Sequence, residues 1–204
     1  MLDRRHFVLS ALASSALTAC GGGAPANRYL QTPLLASHAG YGARFTEPDF
    51  VNGWGIAIRP AGAGGHFWIG GGGTSWQFLG DVSRSSEPSL RTLRQDGLRK
   101  VAVPQSDSRI DDGSAGKVTG VVYHGAPLES HLFRVRSQPA GGRLLDGAAR
   151  FVFVTDSGSV SAWTERDAET GAIVRVDGPA VEVFDGTGRG MAFFGAALHT
   201  GRWD

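Results

Sequence analysis

The chain has 204 residues, enough for one domain with a sizeable core. Glycine supplies 31 of them, about twice the usual share, yet 41% are hydrophobic, so the glycines read as turns between strands rather than low-complexity disorder. With 20 basic and 19 acidic residues (net charge +1) there is no basic patch to argue for nucleic acid, and a single cysteine, Cys20, excludes a disulfide framework and a cysteine-built metal site.

Residues 1–19 read as an export signal. Arg4 and Arg5 form its positive end, and Phe7 to Leu17 is an apolar run too short to span a bilayer as a helix. Leu17-Thr18-Ala19-Cys20 then resembles the lipobox of bacterial lipoproteins, which implies acylation of Cys20 as the new N-terminus and attachment to a membrane through it. Asp3-Arg4-Arg5-His6-Phe7-Val8-Leu9 also resembles a twin-arginine motif, with Asp3 where Ser or Thr is usual, so twin-arginine export and ordinary secretion stay open as alternatives. Gly21 after the cysteine is not the Asp that holds such proteins in the inner membrane of enteric-type bacteria. The expected address is the periplasmic side of the outer membrane. Residues 20–45 comprise the lipidated cysteine, a flexible Gly-rich tether and a segment, Tyr29 to Phe45, read as an opening strand or a surface arm.

From residue 46 to 204 the pattern is that of strands. Thr46-Glu47-Pro48-Asp49 is a turn or cap. Three versions of one unit follow: Trp54-Gly55-Ile56-Ala57-Ile58, Thr119-Gly120-Val121-Val122-Tyr123 and Arg189-Gly190-Met191-Ala192-Phe193. Each is a glycine with apolar residues at the first and third positions after it, the alternation of a strand with one face inward. A second apolar run begins 12 residues after the first two glycines, at Phe67-Trp68-Ile69 and at Leu132-Phe133-Arg134-Val135. Phe151 to Val154 leads through Thr155-Asp156-Ser157-Gly158 into Ser159 to Trp163, a hairpin that lines up with Phe67 to Leu79. The glycine spacings are 65 and 70 residues, longer than a blade of about 40 to 50. Two inserts, Ser83 to Gln105 and Ser137 to Ala149, account for the excess as rim loops, and Val181 to Gly186 is a further strand and turn. Leu90 to Leu98 is a short helix at best. The alternating pattern predicts burial of Trp68, Ile69, Val121, Phe151, Phe153 and Val160.

This unit resembles the blades of NHL-type β-propellers. Pro48 to Ala57, Phe67-Trp68-Ile69, Thr119 to Val122 and Phe153 to Trp163 resemble more closely a family of exported bacterial proteins of that type, over roughly residues 45 to 204. The resemblance implies an all-β, six-bladed, propeller-like fold. The chain departs from it twice: Gly70 to Gly73 stands where the family places an Asp, and the family is considerably longer. The expectation is therefore an incomplete propeller of about two and a half blades.

No constellation of residues declares a reaction. His38, His66, His124, His131 and His199 are scattered and read as surface or loop-end residues, while His6 belongs to the signal. Asp111-Asp112-Gly113-Ser114 reads as an acidic turn, because Lys117 and Val118 stand where a calcium loop needs oxygens. Asp156-Ser157-Gly158 is a hairpin turn, not a nucleophile elbow, and Gly70 to Gly73 is not a phosphate loop. The five tryptophans read as packing between blades; Trp54, at a strand start that opens on the channel, is the exception to watch. The expectation is a binding or scaffold module for an envelope protein or small ligand, without catalytic residues, cofactor or nucleic acid. Asn52, Trp54 and Asp156 are its candidate contacts. A calcium-dependent hydrolase or lactonase of the six-bladed type is the alternative, with Asn52 and Asp156 at comparable blade positions; a non-functional remnant is the third.

Overall fold

Alternating apolar residues broken by glycine turns are satisfied by pairing neighbouring strands, and the described residues of the computed structural model do so. It describes residues 32–60, 66–80, 88, 91–104, 116–137 and 142–199. The fold is all-β in several small sheets, none closed; among the described residues there is no α-helix.

The first large sheet is an antiparallel meander of β3 (Ile56–Ile58), β4 (His66–Gly71), β5 (Thr74–Leu79) and β6 (Lys100–Ala102). A late strand, β12 (Gly178–Pro179), is added parallel to β6. The second is a meander of β7 (Val118–Tyr123), β10 (Phe151–Thr155), β11 (Ser159–Trp163) and β13 (Val181–Asp185). The hairpins β4–β5 and β10–β11 occupy the same place in the two sheets, as their sequences predict. Gly72 and Gly158, with φ of 53° and 89°, close their turns in the left-handed region that glycine tolerates. Two short pairs complete the described strands: β1 (Leu35–Ala36) parallel to β2 (Phe45–Thr46), and the hairpin β8 (Arg134–Ser137) with β9 (Leu145–Ala148).

The sheets pack face to face. Ala57, Trp68 and Val101 of the first meet Val121, Phe151, Phe153 and Trp163 of the second, with Trp68 stacked on Phe151 at 4.1 Å between ring centroids. The outer face of the first sheet carries Trp76 and Phe78, covered by Leu34, Leu35, Phe45 and Phe50. The outer face of the second carries Val152 and Ala162, which pack with Val135 and Ala149. Because both faces are covered, Ile69 and Val160 lie opposite the Trp68 and Phe153 face and are half-buried, while Trp68, Val121, Phe151 and Phe153 are fully buried. Trp68, Trp76 and Trp163 are buried; Trp203 lies outside the described residues.

Several sequence expectations shift. Leu132 and Phe133 are exposed in a turn, with Phe133 at φ 48°, and the strand after them pairs with β9; it is β10 that pairs with β7. The Ser137 to Ala149 insert is therefore partly strand. Residues 91–98 form no helix: Leu93 and Leu98 are buried, and Arg94 bridges to Leu79. The third repeat is displaced. Thr187–Arg189 is a 3₁₀ turn closed by Gly190 at φ 68°, so Gly190 is a cap and not the strand glycine. The position equivalent to Gly55 and Gly120 is Gly195. A Cβ on Gly55 would lie 2.8 Å from Val121 N and 3.0 Å from Gly120 Cα; a Cβ on Gly120 would lie 2.9 Å from Ala196 N and 3.1 Å from Gly195 C. Each glycine lets the next backbone approach. The signal, Cys20 and Asp111 to Ser114 lie outside the described residues.

Candidate functional site

The glycine contacts set three inner segments side by side: β3, β7 and Phe193–Leu198. The last follows β7 in order. Thr119 Oγ1 donates to Phe193 O, Gly120 faces the Gly195–Ala196 peptide, and Leu198 packs, as Val122 does, against the cluster of Val135, Ala149, Val152 and Ala162. Their edges line a groove of about 360 Å³ whose walls are Ile56, Ile58, Val122, Tyr123, Ala196 and Leu198. Ile56 and Ile58 are 65% and 71% exposed, a strongly apolar surface for an edge strand. A second hollow of about 220 Å³, lined by Leu34, Phe50, Trp54, Ile56 and Ile69, adjoins it at Ile56.

Trp54 borders that second hollow. Its backbone is fixed by donation of Trp54 N to Gly70 O (3.1 Å), while its ring, 47% exposed, lies 5.9 Å from that of Phe194, 51% exposed. Two half-exposed aromatic rings in contact are a binding surface of low conformational cost. The other two sequence candidates do not join them. Asn52 is exposed in the loop before β3 at φ 53°. Asp156 is fully buried in the β10–β11 turn, where its carboxylate accepts from Lys117 N (2.5 Å) and so ties the approach to β7 onto the hairpin. Beside it Thr155 Oγ1 lies 2.8 Å from Ser157 Oγ and 2.9 Å from Ser159 Oγ and accepts from Ser159 N (3.1 Å). Among the described residues no group of three or more His, Asp or Glu stands close enough to hold a metal ion.

The opposite strand ends hold a cluster that the sequence did not announce. Fully buried Glu165 takes Arg59 Nη1 at 2.9 Å and Arg150 Nε at 3.3 Å on one oxygen, and Arg175 Nη1 at 3.2 Å on the other. Arg175 Nε also reaches Asp96 Oδ2 at 2.7 Å. His66, buried here rather than at a surface, has Nε2 3.8 Å from Asp96 Oδ2, beyond hydrogen-bond range, and its pKa is lowered to about 4 by burial and by Arg175 and Arg59. His124 is buried as well, with Nδ1 3.1 Å from Ala149 O. The cluster joins the ends of β3, β4, β10 and β11, and so locks the two sheets at that end.

No family model matches the chain, and neither a curated protein nor a solved structure matches it.

Proposed function

We propose that the chain is an exported, lipid-anchored, propeller-like module of the cell envelope that binds an apolar segment of a partner protein or a small apolar ligand in the groove between its inner strands. The carrying observation is the apolar surface at the inner edge: Ile56 and Ile58 well exposed, walled by Val122, Tyr123 and Leu198, with the Trp54–Phe194 ring pair nearby. Patches of this kind on an otherwise well-buried fold mark binding sites. Two meanders of matching strand order, stacked through their inner-strand glycines and followed by a third inner segment, support the propeller-like reading. Arg4 and Arg5, the apolar run and Leu17-Thr18-Ala19-Cys20 support export and anchoring, on the periplasmic side and at the outer membrane by the residue after the cysteine.

Two measurements test this. Cys20→Ser abolishes labelling by radioactive palmitate and leaves unprocessed or soluble chain; unchanged membrane fractionation counts against the anchor, since more than one acyl chain is needed for stable attachment. Titration of the full chain with anilinonaphthalene sulfonate quenches a tryptophan emission component that Trp54→Phe removes, and Ile58→Ser, in the groove wall, weakens the binding several-fold. Equal binding by parent and both variants would place the probe elsewhere and sink the groove as the binding site.

A further inference from the structure

The inner-strand stack is directional. The forward face of β3 carries Gly55 and Ala57, small residues that admit β7, and from β7 Val121 and Tyr123 pack into the same core as Ala57. The forward face of β7 carries Gly120 and Val122, and Leu198 of the next segment packs into the same cluster as Val122. In each step a glycine faces the backbone of the following strand, and that strand turns larger apolar side chains back toward it.

Segment Phe193–Leu198 repeats this forward face. By alternation Gly195 and Ala197 share one side, opposite Ala196 and Leu198, and both are exposed. Gly195 has no left-handed φ, and a Cβ placed on it would meet nothing within 4 Å. Neither backbone conformation nor a neighbour within the described chain requires glycine there. The two earlier members of the stack show what such a glycine accommodates: another backbone at about van der Waals distance. At the other end of the stack the backward face of β3 presents Ile56 and Ile58, the counterparts of Val121 and Tyr123, and these are 65% and 71% exposed. Farther out on that same side of the first sheet, Leu34, Leu35, Phe45 and Phe50 already cover Trp76 and Phe78, and a hollow separates them from Ile56.

We propose that β3 of a second copy docks on the forward face of Phe193–Leu198, seating its Ile56 and Ile58 against Gly195 and Ala197 and continuing the glycine stack from Gly195 onto its Gly55–Ile56 peptide. The contact is heterologous: one copy offers the small-residue face and the other the isoleucine face, so association runs head to tail, and a rotation that closes gives a ring. The shape match is the one the chain makes twice within itself. Ile56 and Ile58 also wall the groove between the inner edges, so the docked copy covers part of that apolar surface.

Sedimentation velocity of the full chain carrying Cys20→Ser, which keeps it unacylated, tests this. The expected result is concentration-dependent association that Gly195→Val weakens roughly ten-fold or more, because the added side chain overpacks the contact. The circular dichroism and urea midpoint of the variant stay unchanged, since no described residue of its own chain lies within 4 Å of the added Cβ. A parent that is monomeric at every concentration, or a Gly195→Val chain that associates like the parent, overturns the proposal. Disulfide trapping decides independently of any effect on folding. Ala197→Cys and Ile58→Cys chains, mixed and oxidised, cross-link to each other, and neither cross-links to itself. Absence of the mixed disulfide, or self-linkage of either single variant, overturns it.

Discussion

The core between the two large sheets ends differently at its two rims. At one rim, where β3 and β11 finish and β4 and β10 begin, the sheets are joined by three guanidiniums around Glu165 and Asp96. At the other, around the β10–β11 turn, there is no guanidinium cluster: Thr155 Oγ1 gathers Ser157 and Ser159, Ser159 Oγ donates to Pro104 O at 3.3 Å, and the one buried carboxylate, Asp156, accepts from Lys117 N. What differs is the cost of an error. Removing one partner from a buried charge cluster leaves the others uncompensated in a poorly solvating interior, whereas a neutral hydroxyl network loses its hydrogen bonds and one desolvated group.

The largest effect is therefore expected at Glu165. Its carboxylate is the shared acceptor for Arg59, Arg150 and Arg175, and Glu165→Gln keeps its size while deleting the charge. Urea unfolding of that variant should show a loss of about 3–5 kcal/mol. A loss under ~1 kcal/mol would mean that water reaches the three guanidiniums and that the rim is not the closed end described above. Thr155→Val should cost less, about 1–3 kcal/mol, because it strands Ser159 N and a serine hydroxyl but no charge. If Thr155→Val costs more than Glu165→Gln, the comparison of the two rims is reversed.

The difference between the rims also explains which parts were legible in the sequence. The β4–β5 and β10–β11 hairpins are local: apolar alternation, a glycine turn and a second alternating run sit within one short window, and each appears where that pattern puts it. The Thr155 to Ser159 turn is part of that window. The charge cluster is not. Arg59, Asp96, Arg150, Glu165 and Arg175 come from five separate places in the chain, and each taken alone reads as a solvated residue at a strand end or in a loop. A faint sign existed, since Arg59 directly follows β3 and Arg150 directly precedes β10, but nothing local says that these ends meet. The candidate site divides the same way. Trp54 was singled out because it opens a recognisable strand. Phe194 was missed because Gly190-Met191-Ala192-Phe193 alternates more visibly than Gly195-Ala196-Ala197-Leu198, whose small residues make a weak pattern although its glycine makes the close contact. Asp156 was noticed for its chemistry, and its burial shows that the carboxylate serves the turn.

The smallest expected effect separates the rims by pH. His66 sits at the charged rim, facing Arg59, Arg175 and Asp96, and its folded pKa of about 4 lies below the ordinary 6.5. Above pH 6.5 the ring is neutral in both folded and unfolded chains, and its contribution to stability is fully present. As the pH falls from 6.5 toward 4, the unfolded chain takes up a proton that the folded chain refuses, so stability declines through that window and levels off below it. His66→Gln removes the titration. Subtracting the variant's stability from the parent's at each pH should leave a difference that falls between pH 6.5 and 4 and is flat on either side. The carboxyls of Asp146 and Asp167 are held below the usual value, the first by Arg134 and the second by the Thr170 backbone and hydroxyl, so their share is lost only as the pH falls below 3.8, and it cancels in the subtraction. Thr155→Val, at the rim held by hydroxyls, removes no titrating group and should shift stability by the same amount across that window. A His66→Gln profile parallel to the parent's would show that the ring is hydrated when folded, and the charged rim would then be open at His66.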